Sequence, residues 1–381
     1  MNGKRKRQKF YTVSINLFRL ITAFVFVFSG FVKASDPVGT SIKFHDYLVA
    51  FGAEGFFSTN QSLIMLACAL AVVEFIIGVY LFLGIYKSGT TLSLLVIMAV
   101  FSPFTLYVAL TDPVSDCGCF GDVVTLTNWQ TFTKNVILLA MALLMFINKR
   151  RILPFVTSLT DGLVSWVTMI LIVTYSIYNV NHLPLLDFRP YKEGTNLKTN
   201  VIDRPAQDYV NFWLSDSNGQ DCTKDFLERP GYTVMLVSPY LEEFDYTNFD
   251  LLSDLVEYAK YFEYRFVVVT SSGTRMVEQW SQEVDPYVEF LFSDDVELKT
   301  MIRSNPGLVI LHNGRIMSKF SSSDIPDDKV LVAPLEQTNL LHADRESPFP
   351  VWFILLLCMM VPFMVIALIN IGIVVYRRYV K

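Results

Sequence analysis

Apolar residues along this chain come in long runs separated by polar connections. Five runs lie at roughly 12–33, 62–86, 90–111, 132–148 and 162–181, and a sixth closes the chain at 350–375. Each is close to the ~20 mainly apolar residues that a helix needs to cross a bilayer, so the pattern predicts six membrane spans. The third contains Pro103, which neighbouring helices tolerate inside a membrane.

Between the fifth and sixth runs the pattern changes. Residues 205–330 carry short apolar stretches bounded by turn residues, as in an alternating α/β domain. Strands are predicted at 209–214, 232–237, 265–270 and 287–291. Helices are predicted near 246–262, 273–283 and 294–303. The last two strands, 306–311 and 315–320, flank Asn313-Gly314, the signal of a tight hairpin.

Composition agrees with the runs. The chain is 52% hydrophobic, with 31 Phe and 18 Tyr, above the range of soluble domains. Its net charge of -5 comes with no basic groove or recognition motif, so no nucleic acid partner is expected. The first span has a basic start (Lys4, Arg5, Lys6, Arg7, Lys9). It is long and is followed by Lys33 and Asp36, without a small-residue cleavage site, so it reads as a retained helix.

Basic clusters mark the cytoplasmic side of a membrane protein. Lys4 to Lys9, Lys87, Lys149 to Arg151, and Arg377, Arg378 and Lys381 all fall on one side if the chain crosses six times. Both termini are then cytoplasmic. The 34–61 loop, the loop holding Cys117 and Cys119, and the large polar domain face outward, where a disulfide persists.

The candidate chemistry sits at the end of the third span, in Asp116-Cys117-Gly118-Cys119-Phe120-Gly121-Asp122. Two thiols one residue apart close a small ring if a turn at Gly118 brings their Cα atoms to ~4.4–6.8 Å. A strained bridge exchanges readily, whereas Asp116 and Asp122 slow thiolate attack. Three readings stay open: an exchanging redox pair, a static bridge or inert thiols, and a metal site. Zinc would need two further ligands, and His45 alone stands out in the first outer loop.

Glu74 lies mid-span, where an ionised carboxylate must face the bundle interior, be paired or be protonated. It is read either as a proton-handling group or as an internal staple to a Ser, Tyr or Arg on another helix. Lys33, at the outer end of the first span, is expected to snorkel to the interface. Cys68 and Cys358 read as small apolar fillers and Cys222 as a packed thiol. His182, His312 and His342 show no ligand spacing.

Three segments together resemble the DoxX-like superfamily, in its MauE-like (methylamine utilisation) branch: Phe28-Ser29-Gly30-Phe31-Val32-Lys33-Ala34-Ser35-Asp36-Pro37, the Glu74…Gly78…Gly84 pattern, and Cys117-Gly118-Cys119-Phe120-Gly121. The likeness covers about residues 10–150. The layout, with Leu186 to Lys192 and an appended outer domain, is similar to Bacteroidetes-type DoxX-family proteins. The resemblance implies a four-helix membrane unit. It also implies a role in maturing disulfide-rich periplasmic enzymes, as for MauE-like members, or quinone-linked redox chemistry, as for DoxX-like ones.

The outer domain resembles a thioredoxin-like fold, with Asn305-Pro306 at the family's cis-proline position. Where that family carries Cys-x-x-Cys, this chain reads Ser238-Pro239-Tyr240-Leu241-Glu242-Glu243, without a thiol.

The expected architecture is therefore an α-helical membrane bundle with an α/β thioredoxin-like extracytoplasmic domain. Its parts are a four-helix unit at 10–150, a fifth span and linker at 151–184, the outer domain at 185–345, and a last span at 349–376. The expected function is inner-membrane support of thiol–disulfide redox or maturation of periplasmic proteins. Cys117 and Cys119 would be the redox pair, with Glu74 handling protons and a diffusible quinone as the candidate cofactor. The alternatives are a non-enzymatic envelope docking scaffold and a quinone-reactive respiratory subunit.

Overall fold

Long apolar runs become helices because a buried backbone must satisfy its own polar groups. The computed structural model describes residues 2–53, 55, 59–114, 118–244, 249–327 and 329–343, with 354, 355, 361, 362, 365, 366, 368–370, 372 and 376 near the C-terminus. The helices of the first part are α1 (Asn2–Ser35), α2 (Pro37–Ala50), α3 (Asn60–Leu83), α4 (Lys87–Thr111), α5 (Asn128–Ile147) and α6 (Asp161–Asn181). All but α2 are long and apolar enough to cross a membrane. They coincide with the first five expected spans. Most of the sixth, 350–375, lies outside the described residues.

Local chemistry sets the helix ends. The Thr59 side chain accepts from Ser62 N at the start of α3, and Gly84, in the left-handed region at φ 72°, ends it. Thr127 and Gln130 form a capping box at the start of α5. Asp36 caps α2 by accepting from Gly39 N, with Pro37 in the first turn. Helix α2 lies in the connection between the first two membrane-length helices, where no element was expected. It is too short to span, and it turns Tyr47 against the Phe104 ring of α4 at 5.4 Å between centroids.

Helices α1 and α3 pack closely because glycines line their contact. A Cβ on Gly30 would lie 2.5 Å from Phe75 N, and one on Gly78 would lie 2.5 Å from Val27 N. Small residues at such crossings let backbones approach inside a membrane, where dispersion and hydrogen bonds drive packing.

Residues 181–348 form a separate unit. Its elements are α7 (Thr223–Glu228), β1 (Tyr232–Ser238), α8 (Phe249–Tyr261), β2 (Arg265–Thr270), α9 (Thr274–Glu283), β3 (Glu289–Phe292), α10 (Asp295–Met301), β4 (Gly307–His312) and β5 (Arg315–Ser321). The sheet order is β3-β2-β1-β4-β5. Strands β1, β2 and β3 run parallel, and β4 and β5 join antiparallel. Alternate side chains point to opposite faces of the sheet. Val234, Leu236, Val268 and Ile310 therefore enter a core with Leu255 and Trp280. Met235, Val237, Val267 and Val309 enter another with Tyr191, Phe226 and Leu298. Both faces are covered, which explains why the strands read as continuous apolar runs.

The strand expected at 209–214 does not form. Gln207–Tyr209 is a 3-10 turn, and the adjacent Ser215 forms an isolated bridge to Phe292. Burial falls on Tyr209, Phe212 and Leu214, three and then two residues apart, so no period-two face exists for a strand to bury. A chain segment also covers the β5 edge: Gly194 N donates to Ile316 O, and Ile316 N donates to Thr195 O.

Candidate functional site

The site is built on the α1–α3 crossing. Ser29 and Lys33 are four residues apart, so they share one face of α1. The close approach at Gly30 brings that face to Glu74 on α3. Lys33 Nζ lies 2.7 Å from Glu74 Oε2, and both side chains are 6% exposed. Lys33 also donates to Ser29 Oγ at 2.7 Å.

The expected snorkelling of Lys33 is thus corrected: its ammonium turns inward, because a buried counter-ion and a hydroxyl await it there. Glu74 takes its staple from Ser29 and Lys33 together. Arg19, the other buried cation of α1, is engaged elsewhere. It donates to the Leu153 carbonyl and sits over the Phe155 ring at 4.6 Å.

The cysteine loop closes onto this cluster. Cys119 O accepts from Lys33 Nζ at 3.0 Å and from Ser29 Oγ at 2.8 Å. Ser29 Oγ also lies 2.7 Å from Glu74 Oε2, so its single proton serves one of two acceptors. The ammonium places its three protons on Glu74, Ser29 and the Cys119 carbonyl. A buried pair needs such additional hydrogen bonds to offset desolvation.

Gly118 at φ 60° and Gly121 at φ 54° supply the expected turns. Cys119 is half-buried and carries a free thiol. Cys117 and Asp116 lie outside the described residues. Asp122 Oδ1 is 3.3 Å from Lys43 Nζ, so its charge is offset at the loop. Lys134 Nζ rests 4.3 Å from the Phe120 ring centroid.

Ser29, Lys33, Glu74 and Cys119 together line a cavity of about 480 Å³. Its other walls are mostly apolar and aromatic, including Phe44 and Tyr47 of α2 and Phe101 and Phe104 of α4. That volume lies within the ~300–1,000 Å³ of small-ligand sites. Glu74 and Cys119 stand out in the sequence, whereas the joining of Lys33 and Ser29 to them emerges only from the packing of α1 on α3. The i, i+4 spacing of Ser29 and Lys33 beside Gly30 was the available signal. His45 is exposed on α2, and among the described residues no group of three or more metal-ligating side chains gathers.

The second unit holds no thiol at the corresponding loop. Ser238 Oγ donates to Asn305 Oδ1 at 2.6 Å, and Asn305 Nδ2 donates to Tyr240 O at 2.8 Å, tying the end of β1 to a cis Asn305-Pro306 bond. Tyr240 Oη donates to Asp295 Oδ2, and Lys299 donates to both. Burial is the main influence on Tyr240 and raises its pKa. Asp295 is held below its ordinary value against burial, by its bonds from Lys299 and Tyr240. Cys222 is half-buried, its Sγ 3.4 Å from Leu214 O, and burial pushes its thiol pKa up, as befits a packed thiol. His182 and His342 pair with Asp324 and Glu193, and His312 stacks on Tyr232.

Residues 11–148 match the model of a family described as methylamine utilisation protein MauE. The matched segment contains α2 to α5 and most of α1, with Ser29, Lys33, Glu74 and Cys119. No curated protein and no solved structure matches the chain. The match and the five membrane-length helices together describe a multi-pass membrane protein with a MauE-like segment.

Proposed function

We propose that this chain is a MauE-like inner-membrane protein that supports thiol–disulfide redox or maturation of periplasmic proteins through Cys117 and Cys119. One observation carries the reading: Cys119, which carries a free thiol, lines a largely apolar cavity that the buried Glu74 also lines. A thiol, an acid and room for a lipid-soluble partner therefore meet at one place.

In the reaction, a client thiolate attacks the Cys117–Cys119 disulfide and forms a mixed disulfide. The second client thiol displaces the protein sulfur. The client leaves as a disulfide, and both protein sulfurs are left reduced, having gained two electrons and two protons. Renewal of the bridge returns these to an acceptor. A quinone bound in the cavity would supply that acceptor chemistry. Glu74, linked to the Cys119 carbonyl through Ser29 and Lys33, would pass the protons.

In this reading the charge pattern places both termini in the cytoplasm and the 181–348 unit in the periplasm. The second unit serves as a client-binding module. Its parallel-then-antiparallel sheet and its cis Asn305-Pro306 bond support likeness to a thioredoxin shell, and its β1 loop has no thiol to react. A docking scaffold is the second reading, favoured by the bonds from Ser29 and Lys33 of α1 that hold the Cys119 carbonyl.

Trapping separates them. Cells producing the wild type and Cys119→Ser are quenched with an alkylating mass tag. The redox reading expects a mixture of thiol states and a client disulfide held by Cys117 in the variant. One permanent oxidation state, no captured client and a fully functional variant would leave the scaffold.

A further inference from the structure

We propose that the cavity in the helix bundle binds a single-chain acidic lipid, with its carboxylate on Lys134 and its chain along the apolar walls. The inference goes beyond the thiol–disulfide reading and does not depend on it.

Lys33, Lys43 and Lys134 all line the cavity. The first two are neutralised: Lys33 pairs with Glu74 at 2.7 Å, and Lys43 pairs with Asp122 at 3.3 Å. Lys134 has no carboxylate partner among the described residues, and its Nζ rests 4.3 Å from the Phe120 ring centroid. Other polar groups of the wall are satisfied within the protein. The Asn135 amide donates to Thr105 Oγ1 at 3.2 Å, and Thr40 Oγ1 donates to Asp36 O at 3.0 Å. Lys134 therefore brings an uncompensated positive charge to the cavity. An aromatic face engages one side of its ammonium, which has three protons to donate.

A charge in apolar surroundings is costly until a counter-ion bonds to it. A carboxylate supplies both the charge and the acceptors. A neutral ligand leaves the ammonium unmatched, and a cation is repelled. The rest of the wall selects the other half of the ligand. Leu63, Leu70, Met98, Phe101 and Phe104 offer hydrocarbon and ring surface. A cavity of about 480 Å³ is of small-ligand size and suits one chain better than a two-chain phospholipid. Lys134 lies within two turns of the start of α5, so the charged head stays near the end of that helix. Such a lipid would fill the space proposed above for an electron acceptor, and the two would compete.

A matched pair of probes tests the charge. Scintillation proximity reads binding of tritiated dodecanoate and of tritiated dodecanol, equal in length and uncharged, to the full chain in a non-ionic detergent. Wild type should bind dodecanoate about tenfold more tightly than dodecanol, as expected of a charge-assisted bond. Lys134→Met should remove that preference and leave dodecanol binding within about twofold, and Lys134→Arg should keep it. Lys134→Met orphans no carboxylate, so its thermal unfolding midpoint should stay at the wild-type value. Leu70→Trp, which fills the cavity, should weaken both probes.

Equal wild-type affinity for the two probes would overturn the inference. So would a preference that survives Lys134→Met, or binding of both probes that survives Leu70→Trp. Displacement of dodecanoate by a phosphatidylglycerol at lower concentration than by unlabelled dodecanoate would assign the site to a two-chain phospholipid and overturn the single-chain carboxylate. None of these results bears on client trapping by Cys119→Ser, which tests the redox reading separately.

Discussion

Gly30 and Phe75 touch without space for a methyl group between them: a Cβ on Gly30 would lie 2.5 Å from the Phe75 amide nitrogen and 2.7 Å from Ala71 O. The atoms in the way are backbone, so α1 and α3 would have to separate. Gly30→Ala should destabilise the bundle by ~1–3 kcal/mol, the usual cost of overpacking. Gly78→Ala should act alike, against Val27. Thermal unfolding of the detergent-solubilised chain measures both. An unchanged midpoint for either would contradict the packing described.

The Lys33–Glu74 pair gives a sharper test of buried charge. Lys33→Met leaves a carboxylate without its ammonium and should cost ~3–5 kcal/mol. Adding Glu74→Gln removes the orphaned charge and should restore part of that loss. A double-mutant cycle reads the difference, and simple additivity of the two single changes would rule out a direct pair.

A pH effect is expected in the second unit. Lys319 is buried, and its pKa is pushed down to about 8, by burial first, with Asp187 opposing. Its ammonium donates to Asp187 Oδ2 and Tyr191 O, both at 2.8 Å. The folded pKa lies below the unfolded value of 10.5, so between them the unfolded chain binds the proton that the folded chain has released. Stability should therefore rise with pH above about 8, by at most ~1.4 kcal/mol per unit. Hydrogen exchange of β5 peptides at pH 7.5 to 9.5, corrected for intrinsic rates, tests the rise. Lys319→Met should flatten it.

Topology is open to direct labelling. Asn218 is exposed in a turn of the second unit. Asn218→Cys should react with a membrane-impermeant maleimide in cells whose outer membrane has been opened and whose inner membrane is intact. Labelling that requires lysis of the inner membrane would invert the proposed orientation.

The spans were legible because a membrane helix writes its length directly into the sequence, as α3 does from Asn60 to Leu83. Strands β1, β2, β4 and β5 were legible for a related reason, being short apolar runs closed by turn residues. Helix α2 was not, since its buried positions, Pro37, Gly39, Thr40, Ser41 and Tyr47, are mostly small or polar. The segment at 209–214 misled because aromatic content suggested a strand while burial followed another spacing. At the site, Glu74 and the cysteines announced themselves as unusual for their places. Lys33 did not, because a lysine at a span end ordinarily reaches for water. Its inward turn depends on a carboxylate 41 residues away that only the α1–α3 packing brings within reach.

The segment running beside β5 has a wider consequence. With Gly194 and Thr195 bonded to Ile316, and Ser215 bridging to Phe292 at the opposite margin, the chain's own irregular stretches occupy backbone groups on both outer strands. Bare margins are templates for strand pairing between copies. A membrane confines many copies to two dimensions, and there this self-covering denies neighbouring molecules a seam along which to zip together.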